Sequence, residues 1–142
     1  MRVQVSSATS RNIWHGLYGF GAAEDWGVWC NGPESAMLLV LKPRATRNIT
    51  LSWQLRGHVH QQYPALECSV FINGRHFATW HFAYPQDADQ TVTRKLHVPH
   101  DLGRLLYLRF EMREPATARH RIGSDETRRP RIGLEALTVA ST

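Results

Sequence analysis

Apolar and polar positions alternate with a period of two along much of this chain. Ile49, Leu51, Trp53 and Leu55 fall on one side of a run, and Thr50, Ser52, Gln54 and Arg56 on the other. That is the pattern of an antiparallel strand with one face on a core and one in water. Leu106, Leu108 and Phe110 repeat it against Tyr107, Arg109 and Glu111. Between Cys68 and Trp80, two β-rich runs meet at Asn73-Gly74, a pair that tolerates the positive φ angles of a type I′ hairpin turn. Cys68, Val70 and Ile72 share one face of this hairpin; Ser69 and Phe71 share the other. After the turn, Phe77, Ala78, Trp80 and Phe82 break the alternation, which predicts a strand buried between two layers rather than one at a sheet edge.

Helical periodicity is nearly absent. Strands are expected over 13–20, 27–31, 35–42, 48–59, 66–73, 75–82, 91–98, 105–112 and 132–139, with 99–103 forming a turn or a single helical turn. Short strands with turn residues between them predict an all-β fold, an antiparallel, jelly-roll-like sandwich of about eight or nine strands. Residues 1–142 form one domain by size, with a core over about 13–139; the chain reads either as a whole small protein or as part of a longer one. If successive strands alternate in direction, the loops at 32–34, 58–65, 83–90 and 113–131 share one rim. The turns at 21–26, 43–47, 73–74 and 99–104 share the other.

Composition narrows the function classes. A hydrophobic fraction of 42% with five tryptophans excludes disorder. No run approaches the ~18 apolar residues of a membrane span, and the opening Met1-Arg-Val-Gln-Val-Ser-Ser lacks the apolar core of a signal peptide. The net charge of +5 rests on arginine, since Lys42 and Lys95 are the only lysines. Basic residues are densest over 113–131, which reads as a solvated basic loop or a polyanion site; with no aromatic there to stack on a base, nucleic acid is disfavoured. Cys30 and Cys68 read as two buried thiols, with a single bridge or a reactive cysteine as the alternatives.

No group announces a reaction. Glu24-Asp25 and Asp125-Glu126 are adjacent pairs, and neighbours on a strand point to opposite faces, so neither makes a glycosidase dyad across a substrate. Glu24 and Asp25 read best as turn residues, with calcium ligation the lesser alternative. His58 and His60 lie two apart without an evident third ligand, so no metal site is assigned. There is no nucleophile elbow and no phosphate loop opening a helix. No cofactor is implied and no catalytic residue is assigned.

Three stretches, taken in order, carry a resemblance. They are Gly19-Phe-Gly-Ala-Ala-Glu24-Asp-Trp26-Gly27-Val-Trp29-Cys-Asn-Gly32, then Val70-Phe-Ile-Asn73-Gly74 with Trp80, and Ile122-Gly123-Ser-Asp125-Glu-Thr-Arg128-Arg-Pro-Arg-Ile132-Gly133-Leu. Together they resemble the β-sandwich accessory domain of bacterial membrane glycosyltransferases and phosphoglycerol transferases, over about 16–139. The resemblance implies a non-catalytic accessory in bacterial polysaccharide or envelope-glycan assembly, with weak carbohydrate binding. Cys30 departs from the family's usual Ser or Thr, and Pro130-Arg131 from its apolar residue before the last glycine. The resemblance also implies that Asp125 and Arg128 order the 113–131 loop, three-residue spacing letting carboxylate and guanidinium meet if the loop turns back.

Trp29, Trp53 and Trp80 lie inside strands and are expected in the core. Trp14, Tyr63 and Tyr84 lie at strand starts or in loops, where an exposed ring stacks on the apolar face of a sugar. Strand counting puts Tyr63 and Tyr84 on one rim with His58, Asp87, Asp89 and Arg128 as hydrogen-bonding neighbours, and a glycan site is expected there; ordinary loop aromatics are the plainer reading of the same rings. The rival is a module that docks a protein partner through a sheet face or edge.

Overall fold

Ten strands among the described residues turn the alternation into two antiparallel sheets packed face to face. The computed structural model describes residues 2–4, 13–31, 33–41, 48–88, 90–113 and 131–141. In chain order the strands are β1 (Arg2–Gln4), β2 (Ile13–Tyr18), β3 (Val28–Trp29), β4 (Glu34–Val40), β5 (Ile49–His58), β6 (Ala65–Ile72), β7 (Arg75–Ala83), β8 (Thr91–Val98), β9 (Leu105–Arg113) and β10 (Arg131–Ser141). The one helical piece described is a 3₁₀ turn at His100–Leu102, where sequence pattern places a turn. The all-β antiparallel sandwich is therefore as expected, with β1 as an unanticipated short addition.

The first sheet runs β1-β10-β5-β8, and β3 also pairs with β10; the second runs β2-β4-β9-β6-β7. Inner faces supply the core. Leu51, Trp53 and Leu55 of β5, with Ile132 and Leu134 of β10, face Met37, Leu39, Cys68, Val70, Leu106, Leu108 and Phe110 of the second sheet, all fully buried. Trp53 ties the layers together, edge-on to Phe110 at 5.5 Å and to Trp80 at 6.2 Å between ring centroids. Cys30 and Cys68 are free thiols inside this core, and burial pushes the Cys30 thiol up to about 12.

The hairpin forms at Asn73-Gly74 with φ of 51° and 83°. Asn73 does more than turn the chain: its Oδ1 accepts from Tyr107 N at 2.8 Å, and its Nδ2 donates to Leu102 O and Leu105 O, each at 3.3 Å. The expectation for the second hairpin strand is corrected. Among the described residues β7 is an edge strand, paired on one side alone. The register jumps from Val70↔Ala78 to Phe71↔His76, leaving Phe77 as an extra residue. A bulge of that kind shifts the side-chain alternation by one, so Phe77 and Ala78 both pack on the core without a second covering layer.

Strand directions place Glu34, His58, Ala65, Ala83, Thr91, Arg113 and Arg131 at one end of the sandwich, the rim that alternation predicts. One connection is misassigned by counting. Phe20 bridges Cys30, and Asn31 N donates to Gly19 O at 2.7 Å, so the 21–26 turn sits near this same rim. β3 is too short to carry the chain to the far end, and counting it as a full crossing caused the error. Asp125, Arg128 and all but the ends of the 113–131 loop lie outside the described residues, as does Asp89.

Candidate functional site

β3 controls the outer face of the first sheet. Val28 and Cys30 are buried, so the two-residue period turns the side chain between them outward. Trp29 is thus only partly buried and outside the core, a correction to its expected place; Trp53 and Trp80 are inside as expected. Across the sheet from Trp29 lies Gly133. The absence of a side chain there lets Trp26 lie down: a Cβ on Gly133 would stand 2.6 Å from Trp26 Cη2 and 3.0 Å from Trp29 Cε3. The two indoles meet edge to face at 4.9 Å.

Two arginines complete the aromatic patch. The Arg56 guanidinium sits over Trp26 at 4.1 Å from the ring centroid, and that of Arg131 over Trp29 at 4.6 Å. Such contacts are worth about 0.5–1 kcal/mol each near the surface, and their larger effect is to fix orientation. β10 carries a bulge between Leu134 and Ala136, and the extra residue, Glu135, is thereby aimed at this face. Its Oε1 accepts from Arg56 Nε at 2.6 Å and its Oε2 from the Thr91 hydroxyl at 2.7 Å. Arg131 Nη1 donates to Asn31 Oδ1 at 3.2 Å.

Beside this patch lies an open depression of about 390 Å³ lined by Trp29, Arg56, Gly57, His58, Gln90 and Thr91. His58 stands edge-on to Trp29 at 5.8 Å and to His60 at 5.5 Å, and His60 to Tyr63 at 5.3 Å. The result is an aromatic floor with hydroxyl, amide, imidazole and guanidinium groups around it. The described residues hold no group of three or more His, Cys, Asp or Glu side chains placed to bind a metal ion.

The structure divides the residues that sequence reasoning put together. His58 lines the depression. Tyr63 lies near it through His60 but is 8% exposed, so it is not the open ring expected; paired backbone bonds between His60 and Tyr63 close a tight turn that tucks it in. Tyr84 is 41% exposed, and its N donates to Pro64 O at 2.8 Å, which holds the two loops side by side. Asp87 is occupied locally, accepting from Ala83 N at 2.8 Å. Glu24 exchanges backbone bonds with Gly27, a turn role. Trp26, Trp29, Arg56, Thr91 and Glu135 were missed. For Trp29 the signal was present in Val28-Trp29-Cys30, where an apolar residue on each side of a tryptophan sends it to the opposite face.

A second cavity of about 400 Å³ opens beside edge strand β2, lined largely by Trp14, Leu17, Tyr18, Phe20 and Val28. Leu17 and Tyr18 are 49% and 43% exposed. Beyond them, Tyr18 donates its hydroxyl to Glu34 at 2.5 Å, and Arg109 Nη1 reaches the same carboxylate at 3.0 Å. Tyr18 and Arg109 together hold the Glu34 carboxyl below the usual range.

No family model matches the sequence, and a search of curated proteins finds no match. Solved structures do match in fold. The CBM36-1 domain of a multidomain xylanase from the hindgut metagenome of Trinervitermes trinervoides superposes with a TM-score of 0.57 at 11% identity, over 100% of this chain and 97% of that one. A carbohydrate-binding module CBM36 in complex with calcium and xylotriose gives 0.53 at 12% identity, over 99% of each chain. CBM35 from Paenibacillus barcinonensis gives 0.50 at 13% identity, over 100% of this chain and 99% of that one. The chain therefore has the β-sandwich fold of these carbohydrate-binding modules; identity this low speaks to fold alone.

Proposed function

We propose that this domain binds a glycan, without acting on it, in the depression lined by Trp29, Arg56, His58, Gln90 and Thr91. The observation that carries the reading is the constellation itself: an indole turned out of the core, ringed by groups that donate and accept hydrogen bonds to hydroxyls. Sugars present C–H faces to aromatic rings and hydroxyls to polar neighbours, so both halves of the recognition are supplied. The fold shared with carbohydrate-binding modules raises the prior and assigns no residue. One such module's structure is described as a complex with calcium and xylotriose; the described residues here hold no group of three or more His, Cys, Asp or Glu side chains placed for an ion.

A shallow open site offers few contacts against the ordering cost of association. Dissociation constants on the order of 0.1–1 mM, roughly 4–5.5 kcal/mol, are expected. The setting is the one implied by the sequence resemblance, an accessory in bacterial envelope-glycan assembly beside a glycosyltransferase or phosphoglycerol transferase. Calorimetric titration with a panel of oligosaccharides, repeated with Trp29→Ala, tests the reading: binding abolished by that change supports it, and binding that survives it places the site elsewhere. The rival reading, docking of a protein partner, has its own observation in the apolar cavity beside Leu17 and Tyr18, on a strand edge that no described residue pairs with.

A further inference from the structure

We infer that the glycan taken by this depression is anionic, carrying a carboxylate or phosphate group that the Arg131 guanidinium receives. The inference rests on the glycan reading above and specifies its ligand class. Two guanidinium groups cap the indole pair. Arg56 lies over Trp26 and Arg131 over Trp29. Glu135 is already bonded to both Arg56 and Thr91. Asp87, the other carboxylate described on the neighbouring loop, is turned to the Ala83 amide.

Arg131 has the features of a receiving group. It opens β10 opposite His58, which lines the depression. Its position is fixed twice, by Trp29 beneath the guanidinium and by Asn31 at Nη1. Its Nε is buried without a hydrogen-bond partner among the described residues, which leaves the Nη pair as the edge of the guanidinium that can meet a ligand. A guanidinium fork matches the two oxygens of a carboxylate or phosphate, whereas a neutral sugar hydroxyl offers one acceptor at a time. A fork pre-set over an indole also loses little entropy when it engages such a group.

The test compares a galacturonate tetramer, a phosphorylated mannose tetramer and the neutral galactose and mannose tetramers by calorimetry, in low and high salt. At least one anionic probe is expected to bind about tenfold or more tighter than its neutral counterpart, with an advantage that shrinks as salt rises. Which of the two anions binds tells carboxylate from phosphate. Arg131→Gln should erase the advantage, so that anionic and neutral probes bind alike; Arg131→Lys, which keeps charge without the fork, should retain only part of it. Unchanged near-ultraviolet circular dichroism establishes that each variant is folded. Equal, salt-independent binding of anionic and neutral probes would overturn the inference and leave glycan binding standing. Failure of every probe to bind would overturn both.

Discussion

Replacing Gly133 by alanine should dislodge the aromatic patch without unfolding the sandwich. The added methyl would meet Trp26 Cη2 at 2.6 Å, Trp26 Cζ3 at 2.8 Å and Trp29 Cε3 at 3.0 Å. All three are side-chain atoms on the outer face, so the rings can yield while the strands stay paired. Gly133 is not among the glycines with left-handed φ, so the cost is steric alone. Displacing Trp26 forfeits its contact with Trp29, about 0.5–1.5 kcal/mol, and its contact with Arg56, about 0.5–1 kcal/mol. Against this, alanine is favoured over glycine inside a strand by roughly 0.5–1 kcal/mol. The net runs from near zero to a destabilisation of about 2 kcal/mol, read by urea denaturation, with glycan affinity falling as Trp29 loses its support. The decisive control is Trp26→Ala. In that background only Trp29 Cε3, at 3.0 Å, still has to give by a few tenths of an ångström, and Gly133→Ala should cost clearly less or nothing. An equal cost with and without the Trp26 ring would refute the packing argument, since a double-mutant cycle then finds no coupling.

Three further outcomes follow from other parts of the fold. Asn73→Ala should cost about 1–3 kcal/mol, through lost hydrogen bonds and a positive φ that alanine resists. Asn73→Gly, which restores the φ but not the bonds to Leu102, Leu105 and Tyr107, should recover part of it in the same denaturation assay. Cys30 and Cys68 should react with a thiol reagent near pH 8 only after denaturant is added, because burial raises both thiols and removes access; fast labelling of the native protein would contradict their placement. Glu34 has a folded-state pKa held below its unfolded value by Tyr18 and Arg109. It therefore contributes stability above its unfolded pKa, and loses that contribution as pH falls through the lower folded value. Denaturation curves of the wild type and Glu34→Gln should accordingly converge as pH falls below about 4.3.

The elements were legible because their signals are local. Alternation from Ile49 to His58 is enough to define β5, and Asn73-Gly74 enough to define the hairpin, whatever the rest of the chain does. The site was legible only in part, since it depends on which strand lies beside which. Tyr63 looked open because it follows a loop, yet the His60–Tyr63 turn that buries it is set by backbone pairing across two residues. Trp29 looked like core because it is a tryptophan in a strand; its outward aim comes from buried neighbours, and its floor from a glycine more than a hundred residues away. The bulges at Phe77 and Glu135 are likewise invisible without their partner strands, and each changes which face a side chain occupies. The rim holding His58 was correctly anticipated, while its aromatic patch came from β3 and the 21–26 turn rather than from the loops at 58–65 and 83–90.

The central claim, that a glycan lies against Trp29 in the depression, is tested most directly by NMR titration of the labelled domain with the glycan that calorimetry identifies. The account predicts saturable shifts of the Trp29 and Trp26 indole N–H signals, with the backbone amides of Arg56, Gly57, His58, Gln90 and Thr91 moving on the same isotherm. Shifts confined to Trp14, Leu17, Tyr18 and Phe20, with the Trp29 indole unmoved at saturation, would contradict it.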